Sequence, residues 1–143
     1  MTTSSKADEG YVLVRLVHEV VEGQRRAFAD VAGAYGLTAP QARTVLRLFE
    51  ATPMRYLADH LSCDASNVTG IADRLRARGL VKTRTGTDRR VRLLELTVKG
   101  QRLRASIQQR LTEETPTMTR LNASERRELV ALLEKLAGAD HAS

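Results

Sequence analysis

The chain has 143 residues, 42% of them hydrophobic but only 3% aromatic, with one cysteine and a formal net charge of +6. That length predicts a single domain, 1–143, with room for a real core. With so few aromatics, the core must be built from Leu, Val, Ile and Ala. A lone cysteine excludes an intrachain disulfide and fits a reducing cytoplasm. No apolar run reaches the roughly 18 residues of a membrane span, so a membrane role is not expected.

The opening MTTSSKADEG lacks an apolar signal core, and residues 1–10 read as a flexible arm. A helix is predicted from Tyr11 to about Tyr35, with Leu13, Leu16, Val17, Val20, Phe28 and Val31 along one stripe. Val12, Val14 and Val21 widen that stripe beyond what one neighbour needs, which points to burial on two sides. Gly36-Leu37 ends the helix. Thr38 then stands three residues before Gln41, the capping-box spacing, and the helix to about Glu50 presents Val45, Leu46, Leu48 and Phe49. Thr52-Pro53 is expected to open a short helix packed by Tyr56, Leu57 and Leu61, with proline at the first helical position.

Ser62-Cys63-Asp64 makes a turn, and Asp64 or Ser66 can cap the next helix, Ala65 to Arg78. Val68, Ile71, Ala72 and Leu75 share one face of it. The other face carries Ser66, Asn67, Thr69, Gly70, Asp73, Arg74 and Arg76: small at its start, rich in donors, and suited to the DNA major groove. Gly79 reads as the C′ glycine. Leu80-Val81 enters a strand, Gly86-Thr87-Asp88 turns it, and Val91 to Leu96 returns. Which face of the return is buried stays open, because Leu93 and Leu94 break alternation. Thr97 caps a helix carrying Leu103, Ile107 and Leu111, and Pro116 interrupts that helix or follows its end. Asn122-Ala123-Ser124-Glu125 opens the last one, whose stripe is Leu129, Leu132, Leu133 and Leu136.

The charge is localised. Residues 74–92 hold eight basic side chains (Arg74, Arg76, Arg78, Lys82, Arg84, Arg89, Arg90, Arg92) and one acid, Asp88, a net of +7, so the rest of the chain sums to −1. Basic charge focused on one recognition element is the footprint of a polyanion binder.

LTAPQARTVLRL, then YLADHLSCDASNVTGIADRLRARGLVKT, then the hairpin tip TDRRVRLLELTVKG resemble, in order and spacing, the MarR family of bacterial transcription regulators over about Leu37 to Gly100. The specific part is Asp-Arg-Arg at the tip followed by Leu-Thr-x-x-Gly at a helix start. The resemblance implies a mainly α fold with a small β-hairpin wing. In it, a winged helix-turn-helix core (37–97) is flanked by N- and C-terminal dimerisation helices (11–35 and 98–138). It implies a homodimer that binds an inverted-repeat operator in double-stranded DNA as a repressor, released by a small ligand or by thiol oxidation. The Leu and Val that a monomer would leave exposed along Tyr11 to Val31 and Leu129 to Leu136 fit such a dimer, which would set two recognition helices about 34 Å apart, one turn of DNA.

The candidate DNA contacts are Ser66, Asn67 and Thr69 at the helix N-terminus, Arg74 farther along, Arg84 on the outgoing strand, and Arg89 and Arg90 at the tip. Asn67 or Ser66 could equally serve as caps. Asp88 is expected to pair with a nearby arginine and hold the wing's shape, or to be an ordinary turn aspartate. Arg15, His18 and Arg43 are candidate effector contacts by analogy with the family, for a small aromatic or phenolic ligand. Cys63 reads as a small buried hydrophobe, with a thiol-responsive repressor as the alternative. His18, His60 and His141 are scattered, and His60 with Cys63 makes half a metal site at most, so neither metal nor cofactor is expected. With no paired carboxylates, phosphate loop or triad, an enzyme is not expected. The competing non-enzymatic reading is a winged-helix module whose basic face meets an acidic protein.

Overall fold

The computed structural model describes residues 5–61 and 65–138, with Ala65 and Ser66 described through their backbone alone. The described chain divides into two compact units, one of residues 1–28 and 112–143, the other of residues 29–111. Helices α1 (Lys6–Ala34) and α5 (Val98–Glu114) each cross the boundary. No described helix is long and apolar enough to cross a membrane.

The 29–111 unit is a winged helix. Val31 and Ala32 at the end of α1 are buried, and Gly36 (φ 67°) reverses the chain so that the Leu37 amide donates to the Ala32 carbonyl at 3.0 Å. Helix α2 (Ala39–Arg47) starts on the capping box read from the sequence: Thr38 Oγ1 accepts from the Gln41 amide, and Gln41 Oε1 accepts from the Thr38 amide at 3.0 Å. It ends before the expected Glu50. Leu48 leaves helical geometry (ψ 73°) with its side chain buried, and the lost phase turns Phe49 outward, 73% exposed rather than in the core. The Arg104 guanidinium lies over the Phe49 ring at 5.0 Å and donates to the Leu48 carbonyl at 2.7 Å.

Thr52-Pro53 does not open a helix. It is a short strand, β1 (Thr52–Pro53), that pairs antiparallel with β3 (Arg92–Leu96), Thr52 opposite Leu94 and Pro53 opposite Leu93. With β2 (Val81–Thr85) on the far side of β3, the order is β1-β3-β2. An edge strand tolerates proline because its missing donor can face away from the ladder. The register also settles the open question about the return strand. Val81 opposite Leu96 and Thr83 opposite Leu94 share the face on which Val81, Leu94 and Leu96 are buried, whereas Leu93 lies on the other face and is half-buried.

Helix α3 (Met54–Leu61) buries Leu57 and Ala58. Tyr56, expected to pack inward, is exposed and stacks on His60 one turn later, ring centroids 3.7 Å apart. Helix α4 (Ala65–Ala77) buries Val68, Ile71, Ala72 and Leu75 as the periodicity requires. The Thr-x-x-Gly start of α5 has a steric cause. Thr97 Oγ1 donates to the Gly79 carbonyl at 2.6 Å and accepts from the Gly100 amide at 3.1 Å. This draws α5 so close that a Cβ on Gly100 would stand 2.0 Å from the Leu80 carbonyl oxygen, and only glycine fits.

The other unit holds most of α1, the end of α5, α6 (Pro116–Thr119) and α7 (Ala123–Leu136). α1 starts at Lys6, five residues earlier than expected, so residues 6–10 are helix rather than arm. The reason is local: around the first turn Asp8 Oδ2 accepts from the Ser5 amide at 3.3 Å, and Ser5 Oγ accepts from the Ala7 amide at 3.3 Å. Pro116 begins α6 after Thr115, where its absent donor does no harm. Asn122 caps α7, accepting from the Ser124 and Glu125 amides at 2.9 and 3.0 Å, while Glu125 Oε2 accepts from the Asn122 amide at 2.8 Å. Gln24 Nε2 donates to Thr117 Oγ1 at 3.0 Å, tying α1 to α6. Tyr11, Val12, Leu13, Val14, Leu16, Val17, Val20 and Val21 on α1, and Val130, Leu132, Leu133 and Leu136 on α7, remain exposed.

Candidate nucleic-acid interface

Helix α4 buries its apolar face and leaves Asn67, Thr69, Gly70, Asp73 and Arg74 exposed. Nothing lies within 4 Å of where a Cβ on Gly70 would stand, so the middle of that face is open to close approach. Ser66 belongs to the same helix by backbone; its side chain is outside the described residues.

The basic segment after α4 divides into side chains the fold uses and side chains it leaves free. Arg76 donates to Asp73 Oδ1 at 2.7 Å and to Thr83 Oγ1 at 2.6 Å, clamping α4 to β2. Arg78 donates from its two terminal nitrogens to the Gly36 and Tyr35 carbonyls, both at 2.9 Å, where it caps the end of α1. Lys82 and Arg84 both reach Glu95, at 3.2 and 3.6 Å. Arg74, Arg89, Arg90 and Arg92 are exposed and have no side-chain hydrogen bond or ion pair among the described residues. The fold thus presents its uncommitted positive charge on the helix and around the hairpin tip, where phosphates of a duplex could meet it.

The tip is shaped by Asp88, though not through the expected arginine pair. Its Oδ1 accepts from the Arg90 amide at 2.9 Å, and its carbonyl accepts from the Val91 amide at 2.9 Å. The Gly86 amide donating to the Val91 carbonyl at 2.8 Å closes the turn. An aspartate two residues ahead of an amide makes an Asx turn; the acid that takes the basic side chains is Glu95, which lies just outside the charged window considered in the sequence.

No family model matches the chain, and no curated relative matches it. Solved structures do. Apo MarR from E. coli superposes with a TM-score of 0.70 and 27% identity over 87% of this chain and 95% of its own. BpsR of Bordetella bronchiseptica, described through the regulation of its DNA binding by 6-hydroxynicotinic acid, superposes at 0.67 with 26% identity, covering 87% and 98%. A cysteine-to-serine variant of E. coli MarR complexed with operator DNA superposes at 0.65 with 26% identity over 93% of this chain and 99% of its own. The fold is that of the MarR-type structures.

The candidate effector residues lie apart in the sequence of elements. Arg15 and His18 are exposed on α1 in the helical unit, Arg15 already paired with Glu19 at 2.5 Å; Arg43 is exposed on α2 in the winged-helix unit. A cleft of about 90 Å³ in the winged-helix unit is lined by Leu48, Phe49, Glu95, Gln101 and Arg104 among others, and by none of those three. Cys63 and His141 lie outside the described residues, and among the described residues no group of three metal-ligating side chains converges.

The sequence counted Arg92 in the basic window without naming it a contact, and did not single out Glu95. The register that separates them is a cross-strand property, and the signal available in the sequence was only their two-residue offset from the tip arginines and from Leu93.

Proposed function

We propose that this protein is a transcription regulator that binds double-stranded DNA as a homodimer, with α4 in the major groove and the wing against the neighbouring backbone or minor groove. The observation that carries this is the pairing, within one winged-helix unit, of an open polar helix face with arginines that the fold leaves without partners. The operator-bound MarR structure among the similar folds supports it. The exposed valines and leucines of α1 and α7 support the dimer, because a contiguous apolar surface of that extent is costly in water and is characteristic of an interface. Twofold symmetry then calls for an inverted-repeat site. Repression and release by a small aromatic ligand complete the reading, supported by the regulation of DNA binding in BpsR by 6-hydroxynicotinic acid.

Footprinting on the DNA upstream of the protein's own coding sequence tests it, since regulators of this kind commonly act on themselves or a divergent neighbour. The expected result is protection of an inverted repeat, lost in the double variant Arg89→Ala/Arg90→Ala and weakened by aromatic acids added to the reaction. If affinity survives removal of both tip arginines, the wing has no part in binding and the assignment is wrong.

A further inference from the structure

Within the wing, the two faces of the β2–β3 hairpin carry different charge, and a single carboxylate makes the difference. Side chains alternate along a strand, so the register separates them cleanly. Thr83 opposite Leu94 and Thr85 opposite Arg92 share one face; Lys82 opposite Glu95 and Arg84 opposite Leu93 share the other. The first of these looks toward α4, because Arg76 of α4 reaches across to Thr83 Oγ1 at 2.6 Å. Arg92 therefore stands on the α4 side of the hairpin, near the tip and beyond the buried Leu94, exposed and without a partner among the described residues. On the far face, Glu95, whose side chain is only 23% exposed, holds Lys82 and Arg84 together.

We propose that Arg92 is a DNA-backbone contact of the wing and that Glu95 is a positioning residue. Glu95 retains Lys82 and Arg84 on the face turned away from α4, so that the wing meets DNA through Arg89, Arg90 and Arg92. This rests on the DNA-binding reading and refines it. A duplex laid along the polar face of α4 meets the hairpin on the face that looks toward α4. Arginines on that face gain counterion release, whereas cations bound to a carboxylate on the opposite face release few counterions. Glu95 accordingly limits sequence-independent attraction and leaves discrimination to α4. Arg84, a candidate contact from the sequence, becomes part of the wing's internal ion cluster.

The test is the salt dependence of binding to a mixed-sequence duplex of about 30 base pairs, which reads phosphate contacts without knowledge of the operator. Each phosphate contact contributes about 0.9 to the slope of log affinity on log salt, so Arg92→Ala in a dimer should flatten it by about two. Arg92→Lys should restore it. Arg84→Ala should leave the slope unchanged. Glu95→Gln should steepen it, and adding Arg84→Ala to that variant should reverse part of the gain. An Arg84→Ala variant that flattens the slope as much as Arg92→Ala overturns the assignment, and that comparison decides it even if Glu95→Gln lowers stability. Wild-type protein that ignores the duplex at low ionic strength sinks the DNA-binding reading itself, and this inference with it.

Discussion

The two units use the same residue types in opposite ways. In the winged-helix unit Leu48, Leu57, Leu75, Leu80, Leu94 and Ile107 are essentially sealed from water by their own chain. In the helical unit Leu13, Val17, Val20, Leu132, Leu133 and Leu136 stay between 45% and 67% exposed. The winged helix seals its core with its own sheet, α2 to α4 and the parts of α1 and α5 that belong to the unit. The helical unit leaves its apolar faces open, and these are the faces the proposed dimer would cover. That difference teaches which part of the chain seals its own core and which part the proposed dimer would complete.

The contrast can be broken at its strongest point first. Leu75→Ala removes a fully buried side chain from the winged-helix core, and it should lower the unfolding free energy by about 2–5 kcal/mol, independently of protein concentration. Urea denaturation at two concentrations measures both parts of that statement. Next in size is Leu132→Lys, which places a charge on the exposed face of α7. The expected outcome is a shift from dimer to monomer in sedimentation equilibrium, with a melting temperature that no longer depends on concentration. Should Leu132→Lys leave the assembly intact, the α7 face is not the interface and the comparison fails on that side. The smallest effect is at the cap of α7: Asn122→Ala leaves the Ser124 and Glu125 amides without their side-chain acceptor. It should cost about 1 kcal/mol, read by thermal melting.

Much of this was legible in the chain before any coordinates. The capping box at Thr38, the helix start at Asn122, the reversing glycines Gly36 and Gly79, and the buried stripe of α4 are all local. They depend on residues within about one helical turn of each other, and the structure has them as read. The errors fall where a local signal was ambiguous and a distant partner decided. Proline at 53 fits a first helical turn or an edge strand equally well, and pairing with β3, some forty residues later, selected the strand. Phe49 and Tyr56 follow helical spacing, yet α2 ends two residues before the first, and the second finds its partner in His60 on its own helix. The early start of α1 was missed for a different reason: the apolar pattern begins at Tyr11, but Ser5 and Asp8 cap a helix whose first turn, Lys6 to Glu9, carries no large apolar side chain.

For the candidate site, the sequence alone determined that positive charge gathers between Arg74 and Arg92 behind a helix with one polar face, because composition and the 3.6-residue period are properties of the chain itself. Only the tertiary structure decided which of those charges are free. Arg76, Arg78, Lys82 and Arg84 are taken up by Thr83, by two carbonyls at the end of α1 and by Glu95, partners fixed by strand register and helix packing rather than by neighbourhood in the chain. Electrostatic attraction falls steeply with distance in water, so a charge's availability follows from what folding brings within about 4 Å of it.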